Sequence, residues 1–346
     1  MLALDAHLTY PHCNGFHDGG ERVALARYDA DAVRIISVRW RGPNPDERVL
    51  HVLPPIPADR AGTPNGLIWF DIARGSGRLA VVIGNVLHVA DADGALEPLW
   101  RPPAGHTLDG LVSITADGTR VAATADSGTI WSAWEVEVAT GQTTLLFEKP
   151  WYANHIHYCP HDESRLAFSK EGPTLQTPDR VWSWHADAAP NGQCALDQQA
   201  ISDSPGEFVA VGHERWCHHD TAALVVAYGS SNAGPRGLYF AYPDDRPPRL
   251  VGAGERYWHC DISRDGQYAI VDTSGPYDKP GRGWQDAGNI SDVLLIDLAT
   301  GTSRPIARTT ATQHPWHPHP VFTPTGDAIL HNHLTTSTRG VAVRTL

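Results

Sequence analysis

The chain is short of the residues and patterns that mark several protein classes. Its 346 residues include one Met and five Cys. The cysteines, Cys13, Cys159, Cys194, Cys217 and Cys260, are odd in number and form no CxxC pair. That argues against a disulfide framework or a zinc ribbon and points to a reducing cytoplasm. Long apolar runs are missing too. The most apolar stretch, residues 79–90, is broken by Gly84, Asn85 and His88 and cannot span a bilayer. The opening Met-Leu-Ala-Leu-Asp-Ala-His lacks the basic and apolar regions of a secretory signal. Positive charge is scarce, with 27 Lys plus Arg against 39 Asp plus Glu, a net −12. Duplex DNA or an anionic membrane calls for the opposite sign, so neither is an expected partner. Capped amphipathic helical patterns of useful length are also lacking.

What is present reads as β-structure. With 32 Gly and 27 Pro a helical bundle is excluded, and 12 Trp, 10 Tyr and 7 Phe exclude disorder. A polar turn followed by a short apolar, β-rich run occurs seven times. The turns are Asp18-Gly19, Ser76-Gly77, Asp117-Gly118, Asp162-Glu163, Asp220-Thr221, Asp265-Gly266 and Thr325-Gly326. Their intervals run from 41 to 60 residues, the signature of an all-β, seven-bladed β-propeller. Further strands such as Val181-Trp-Ser-Trp184 and Asp292-Val-Leu-Leu-Ile296 fill out each unit. A pair of β-sandwiches also uses such strands and turns. Seven like units without a dividing linker favour the propeller, as a single domain over residues 1–346. The last copy has no room for its outer strand after Leu346, so the residues before Tyr10 are expected to close the ring. Residues 171–206 and 275–289, in the long intervals, read as loops over one end.

Histidine is in excess, at 19 copies, 13 of them between His155 and His333. The densest cluster is Gln313-His314-Pro-Trp-His317-Pro-His319-Pro320. In an extended segment residues two apart share a face, so His317 and His319 can point together into the central channel. His259 stands at the matching place before its own Asp-Gly turn. A lone His more often caps a loop or stacks on a neighbour such as Trp258 or Trp316. Several at matched blade positions favour a metal site. His213, in Gly212-His-Glu-Arg-Trp216, also precedes a turn; it reads as a core His or, beside a cation, as a general base. Arg180 alone reads as a surface salt-bridge residue, and His161, His218 and His219 in turns are expected to be solvated.

Together, His155-x-His157-x-x-Pro160-x-Asp162, Glu171-Gly-Pro173, Arg180-x-Trp182, Gly212-His213-Glu214-x-Trp216 and His317-Pro-His319-Pro320 resemble the oligogalacturonate lyase family. That family comprises cytoplasmic, usually manganese-dependent, seven-bladed propellers that cleave short oligogalacturonides by β-elimination. The likeness lies in residues 155–320. It implies His213 as the Brønsted base and Arg180 as a charge-stabilising residue facing the substrate. It also implies His155 and His157 as substrate-binding, and His259, His317 and His319 as metal ligands. A fourth ligand precedes the His-Pro-His-Pro run: the family has Gln where this chain has His314. Either His314 replaces the amide, which is the expectation, or a bulge lets Gln313 reach. His157 also departs from the family, which has Gln there, and the loop between Arg180 and His213 is longer.

The residue types suit this chemistry. A cation on the uronate carboxylate, helped by Arg180, stabilises the charge that develops as a neutral His213 removes the C5 proton. The expected substrate is thus an acidic oligosaccharide and the expected metal Mn2+. Leaving-group protonation falls to water or to a channel residue such as His155 or Tyr158. The alternatives are a lyase for another uronic-acid glycan or a non-catalytic, ligand-binding propeller.

Overall fold

The computed structural model describes residues 1–29, 31–42, 44–54, 67–92, 94–284, 286–310 and 313–346. These form seven antiparallel sheets, with only two short 3-10 turns and no α-helix among the described residues. Each of the seven turn phrases connects the first and second strands of one sheet. Blade 1 pairs Ala6–His7 and Phe16–His17 with Arg22–Tyr28, then Val33–Arg39 and Arg48–Leu53. Blades 2 to 6 begin with inner strands Phe70–Ile72, Thr107–Ile114, Ala153–Tyr158, Val211–Trp216 and Tyr257–Ile262. Blade 7 runs Val321–Phe322, Ala328–Leu334 and Arg339–Thr345, and its fourth strand is Ala3–Leu4. Ala3 pairs with Val341 and Leu4 with Gly340, so the N-terminal strand closes the ring as expected. The same segment then crosses directly into blade 1, where Ala6 pairs with Arg27.

Alternation along the strands gives every blade two apolar faces, and neighbouring blades bury them together. Leu25, Ile36, Leu330 and Val341 fill the seam between blades 7 and 1. Leu87, Ile114, Val121 and Val136 fill that between blades 2 and 3. Leu224, Phe240, Val271 and Leu294 do so between blades 5 and 6. Truncating one such side chain to Ala costs about 2–5 kcal/mol, a large part of a domain's net stability. Carboxylates stitch the inner strands. Asp71 accepts from the Asn14 and Ile114 amides at 2.6 and 2.9 Å, and Asp261 takes Arg215 Nε and the Phe322 amide at 2.8 Å each. Each therefore ties three blades.

The stretch 171–206 is less of a loop than the sequence suggests. Val181–His185 and Ala189–Cys194 inside it are the third and fourth strands of blade 4. The second stretch, 275–289, contains no strand among its described residues; residue 285 lies outside them. It wraps the buried guanidinium of Arg256, which donates to the carbonyls of Ser274, Pro280 and Gly283 at 2.9–3.0 Å. Gly281, at φ +131°, is required there, because a Cβ would lie 1.9 Å from an Arg256 nitrogen.

Candidate active site

One backbone hydrogen bond closes the turn after each inner strand, from the amides of Ala73, Thr115, Cys159, Cys217, Ser263 and Thr323 in blades 2 to 7. Counting four residues back from each gives Trp69, Leu111, His155, His213, His259 and His319. These side chains belong to one level of the ring. In blades 3 to 6 the pairing of inner and second strands slips here, between Leu108 and Val112, Asn154 and His157, Gly212 and Arg215, and Tyr257 and Cys260. Such a bulge re-aims a side chain out of the strand's alternation. His155, His213 and His319 have φ of 57°, 52° and 43°, a left-handed conformation that non-glycine residues seldom adopt.

The bulges bring imidazoles together across the channel. Ring centroids lie 4.1 Å apart for His213 and His259, and 4.3 Å for His259 and His319. His314 joins from the loop before blade 7, 5.1 Å from His319. Ligand nitrogens of His259, His314 and His319 all lie within 4.8 Å of one another. Among the described residues no partner is present for His259 Nε2, His314 Nδ1, or either nitrogen of His319. Unpaired buried nitrogens of this kind are costly unless something binds them. They suit a divalent transition metal, for which imidazole is a common ligand. His317 stands beside this trio, its ring 4.8 Å from His314 and its buried Nδ1 also unpartnered, but it is not among the three whose nitrogens converge. Gln313 is exposed, so His314 is the residue that the fold places in the cluster.

Two residues that the sequence reading missed hold this loop and strand in place. Asn332, fully buried, donates to the carbonyls of Pro315 and His317 at 2.9 Å and accepts from the Leu8 amide. Asp272, also fully buried, accepts from the His259 amide at 2.7 Å, from His259 Nδ1 at 2.9 Å and from the His319 amide at 3.1 Å. That carboxylate fixes the His259 tautomer and leaves Nε2 bare. A charge inside the apolar run Tyr268-Ala-Ile-Val-Asp272-Thr was the available signal.

His213 is oriented in the same way. Its Nδ1 lies 2.5 Å from the Trp258 carbonyl, which can only accept, so the proton sits on Nδ1 and Nε2 keeps its lone pair. Burial first, then the nearby His155, hold the His213 pKa well below the usual imidazole value, so the ring is neutral. Burial likewise lowers His314 to about 4, and burial with His314 lowers His317 to about 2. The Tyr228 hydroxyl lies 3.0 Å from His213 Nδ1, and burial raises its pKa. Gly212 makes room for this approach: a Cβ there would meet the Tyr228 oxygen at 2.3 Å and Arg180 Nε at 2.9 Å.

Arg180 is not a surface residue. It is 7% exposed, and one terminal nitrogen of its guanidinium donates to both carboxylate oxygens of Glu171, at 2.6 and 2.8 Å, while its Nε has no partner. His155 lies 3.7 Å from Glu171 and 3.5 Å from the Tyr10 hydroxyl. His157 is buried behind it, stacked on His12 at 4.7 Å. Tyr158 is outside the site, its hydroxyl bound to Glu135 at 2.8 Å in the blade 3–4 seam. Tyr10 and Trp69, neither singled out by the sequence, pack with Cys13 and Leu111 across the middle of the channel. Loop 275–289 adds Trp284, 5.2 Å from His317 and 5.5 Å from Trp258.

A neutral, aligned imidazole beside convergent nitrogen donors and an arginine is the set of parts that proton abstraction requires. Comparison with known proteins bears on which. The chain is similar to oligogalacturonate lyases. It is 24% identical over 205 residues to the oligogalacturonide lyase of Pectobacterium atrosepticum, and 24% over 206 to the oligogalacturonate lyase of Dickeya dadantii. Each match covers 56% of this chain and spans about half the length of the curated relative, 50%. No family model matches the chain. Among solved structures, an oligogalacturonate lyase in complex with manganese superposes with a TM-score of 0.79 at 19% identity, over 100% of this chain and 91% of that one. The enzyme from Vibrio parahaemolyticus gives 0.79 at 15% identity, covering 92% of its chain. These likenesses extend the seven-bladed ring over the whole chain.

Proposed function

We propose that the protein is a manganese-dependent lyase that cleaves short oligogalacturonides by β-elimination. The observation that carries the reading is His213, neutral, with Nδ1 fixed on a carbonyl and its ring 4.1 Å from an imidazole of the metal-donor cluster. The likeness to oligogalacturonate lyases supports the substrate class.

His259, His314 and His319 would hold the cation, with His317 as the adjacent fourth imidazole. A bound divalent ion supplies positive charge to the uronate carboxylate, which makes the neighbouring C5 proton more acidic. His213 Nε2 takes that proton, the C4–O bond breaks, and the double bond forms between C4 and C5. Arg180 keeps its guanidinium in place through Glu171 and offers its positive charge to the charge that builds on the carboxylate. The departing oxygen takes up a proton, and Tyr228 and Tyr10 are the hydroxyls that burial keeps protonated nearby. His155, held against Glu171 and Tyr10, lines the same opening and contacts the sugar, with His157 supporting it from behind. The five unpaired cysteines suit a reducing compartment such as the cytoplasm. Among the described residues no helix is long and apolar enough to cross a membrane.

The test is the ultraviolet absorbance of 4,5-unsaturated uronate released from oligogalacturonide. It should grow with the manganese-loaded protein, stop with chelator and return with Mn2+. Silence of the metal-loaded protein on this substrate would overturn the reading.

A further inference from the structure

The inner strands have a second end. In blades 5 and 6 the chain runs from His213 along the inner strand to Trp216 and on to His218, and from His259 to Ile262 and on to Arg264, at most about 16 Å. The residue just after each closing turn amide is Arg74, Ala116, Pro160, His218, Arg264 and Pro324 in blades 2 to 7. Blade 2 faces blades 5 and 6 across the ring, so Arg74 opposes His218 and Arg264. One cavity is lined by all three, with Arg215, Cys13, Asn14 and Asp261. Its free volume is about 30 Å3, on a measure in which one water needs about 10–15 Å3. Tyr10, Trp69, Cys13 and Leu111 pack between it and the histidine cluster.

Three guanidiniums line the cavity with one carboxylate, Asp261, although the whole chain carries −12. Asp71 and Glu163 stand outside the lining and act on Arg74 by charge alone, without an ion-pair contact. Asp261 is already spent on Arg215 Nε at 2.8 Å and on the Phe322 amide. Among the described residues Arg74 and Arg264 form no hydrogen bond or ion pair, and Arg215 uses only Nε, leaving both its terminal nitrogens unpaired although the residue is 8% exposed. Like charges gathered at one partly enclosed opening repel unless an anion is shared between them. His218, expected to be solvated, is instead half-buried; burial, then Arg74, Arg215 and Arg264, press it down to about 2. It is therefore a neutral hydrogen-bonding group beside the guanidiniums.

We propose that this far mouth of the channel is a binding site for a small oxyanion, a phosphate or a carboxylate, held between Arg74, Arg215 and Arg264. Forked guanidinium donors match the paired oxygens of such groups, and three of them converge here. The site is separate from the lyase reading and does not depend on it.

The experiment measures the thermal midpoint of the metal-loaded protein against inorganic phosphate and, separately, acetate, in low-salt buffer. A saturable rise with a dissociation constant of about 1 mM or tighter is expected for at least one of them. Phosphate alone, or acetate alone, identifies the occupant. The double variant Arg74→Ser, Arg264→Ser should weaken that binding at least about tenfold while metal content stays unchanged. Should the double variant not fold, Arg264→Gln, at an exposed side chain, should weaken it by a smaller factor. No saturable shift with either anion, or equal affinity in wild type and variants, would overturn the proposal.

Discussion

Blades 2 and 3 place Trp69 and Leu111 at the channel level where blades 4 to 7 place His155, His213, His259 and His319. Part of the backbone device is shared: Leu111 lies in a slipped register just as His213 does. The left-handed turn of His155, His213 and His319 is not found at Trp69 or Leu111, so both backbone and side chain differ. Trp69 and Leu111 are 1% and 0% exposed and form a largely apolar wall, whose one unpartnered polar atom is Trp69 Nε1, whereas His259 and His319 opposite are left with bare ring nitrogens. A repeated fold thus becomes a one-sided site by changing the residue and its backbone conformation at one repeated position. The wall removes water from one flank, which strengthens every charge interaction on the other.

The largest expected effect breaks the histidine half. His213→Gln keeps the volume and loses the basic nitrogen, so turnover of oligogalacturonide should fall by about 100- to 10,000-fold with metal content unchanged. Metal analysis beside the absorbance assay checks both; near-normal turnover would remove His213 as the base. The apolar half should respond in the opposite sense. Leu111→Ala should cost about 2–5 kcal/mol in urea unfolding, while the metal stoichiometry of the folded protein holds. A loss of metal there would mean that the two halves are not separable.

Asp272→Asn sharpens the comparison further. An amide has one acceptor oxygen where the carboxylate has two, so either His259 or the His319 amide would face an N–H. Manganese affinity should drop by about 10- to 100-fold, read by titration with a competing chelator. The most gradual effect is the pH dependence of stability. Burial lowers His331 to about 4 and His157 to about 3 from 6.5. The unfolded chain therefore binds more protons than the folded one between those values and 6.5. Stability should be complete above pH 6.5 and decline below it, by up to about 1.4 kcal/mol per pH unit for each such imidazole. A urea midpoint that is flat from pH 7 to 5 would contradict this burial.

The ring was legible because it is periodic. Seven turn phrases became seven sheets, and the missing strand after Leu346 announced the closure by Ala3–Leu4. The matched placing of His259 and His319 before their turns could be read in the same way. What escaped is what periodicity does not encode. Tyr10 comes from a stretch between two short inner strands of blade 1, and Asn332 and Asp272 act from second strands, across a blade. Residues 171–206 misled because their Gly, Pro and Gln content hid two outer strands, which need little apolar character. Arg180 misled because its partner Glu171 lies across a strand pair rather than at a helical spacing. His218 misled because a turn is usually solvated, whereas this one faces into the ring.

Closure by Ala3–Leu4 also sets an order of events. Tyr10 and His319 come from opposite ends of the sequence, yet their rings lie 5.7 Å apart. Chains emerge from synthesis N-terminus first, and domains collapse as they emerge. The first strand must therefore wait, unpaired, until blade 7 has been made. Only then do Tyr10, the His314–His319 loop and the imidazoles of blades 4 to 6 meet. The His213–His259 pair of neighbouring blades can form early, but the full cluster with His314, His319 and Tyr10 needs a ring that has already been latched.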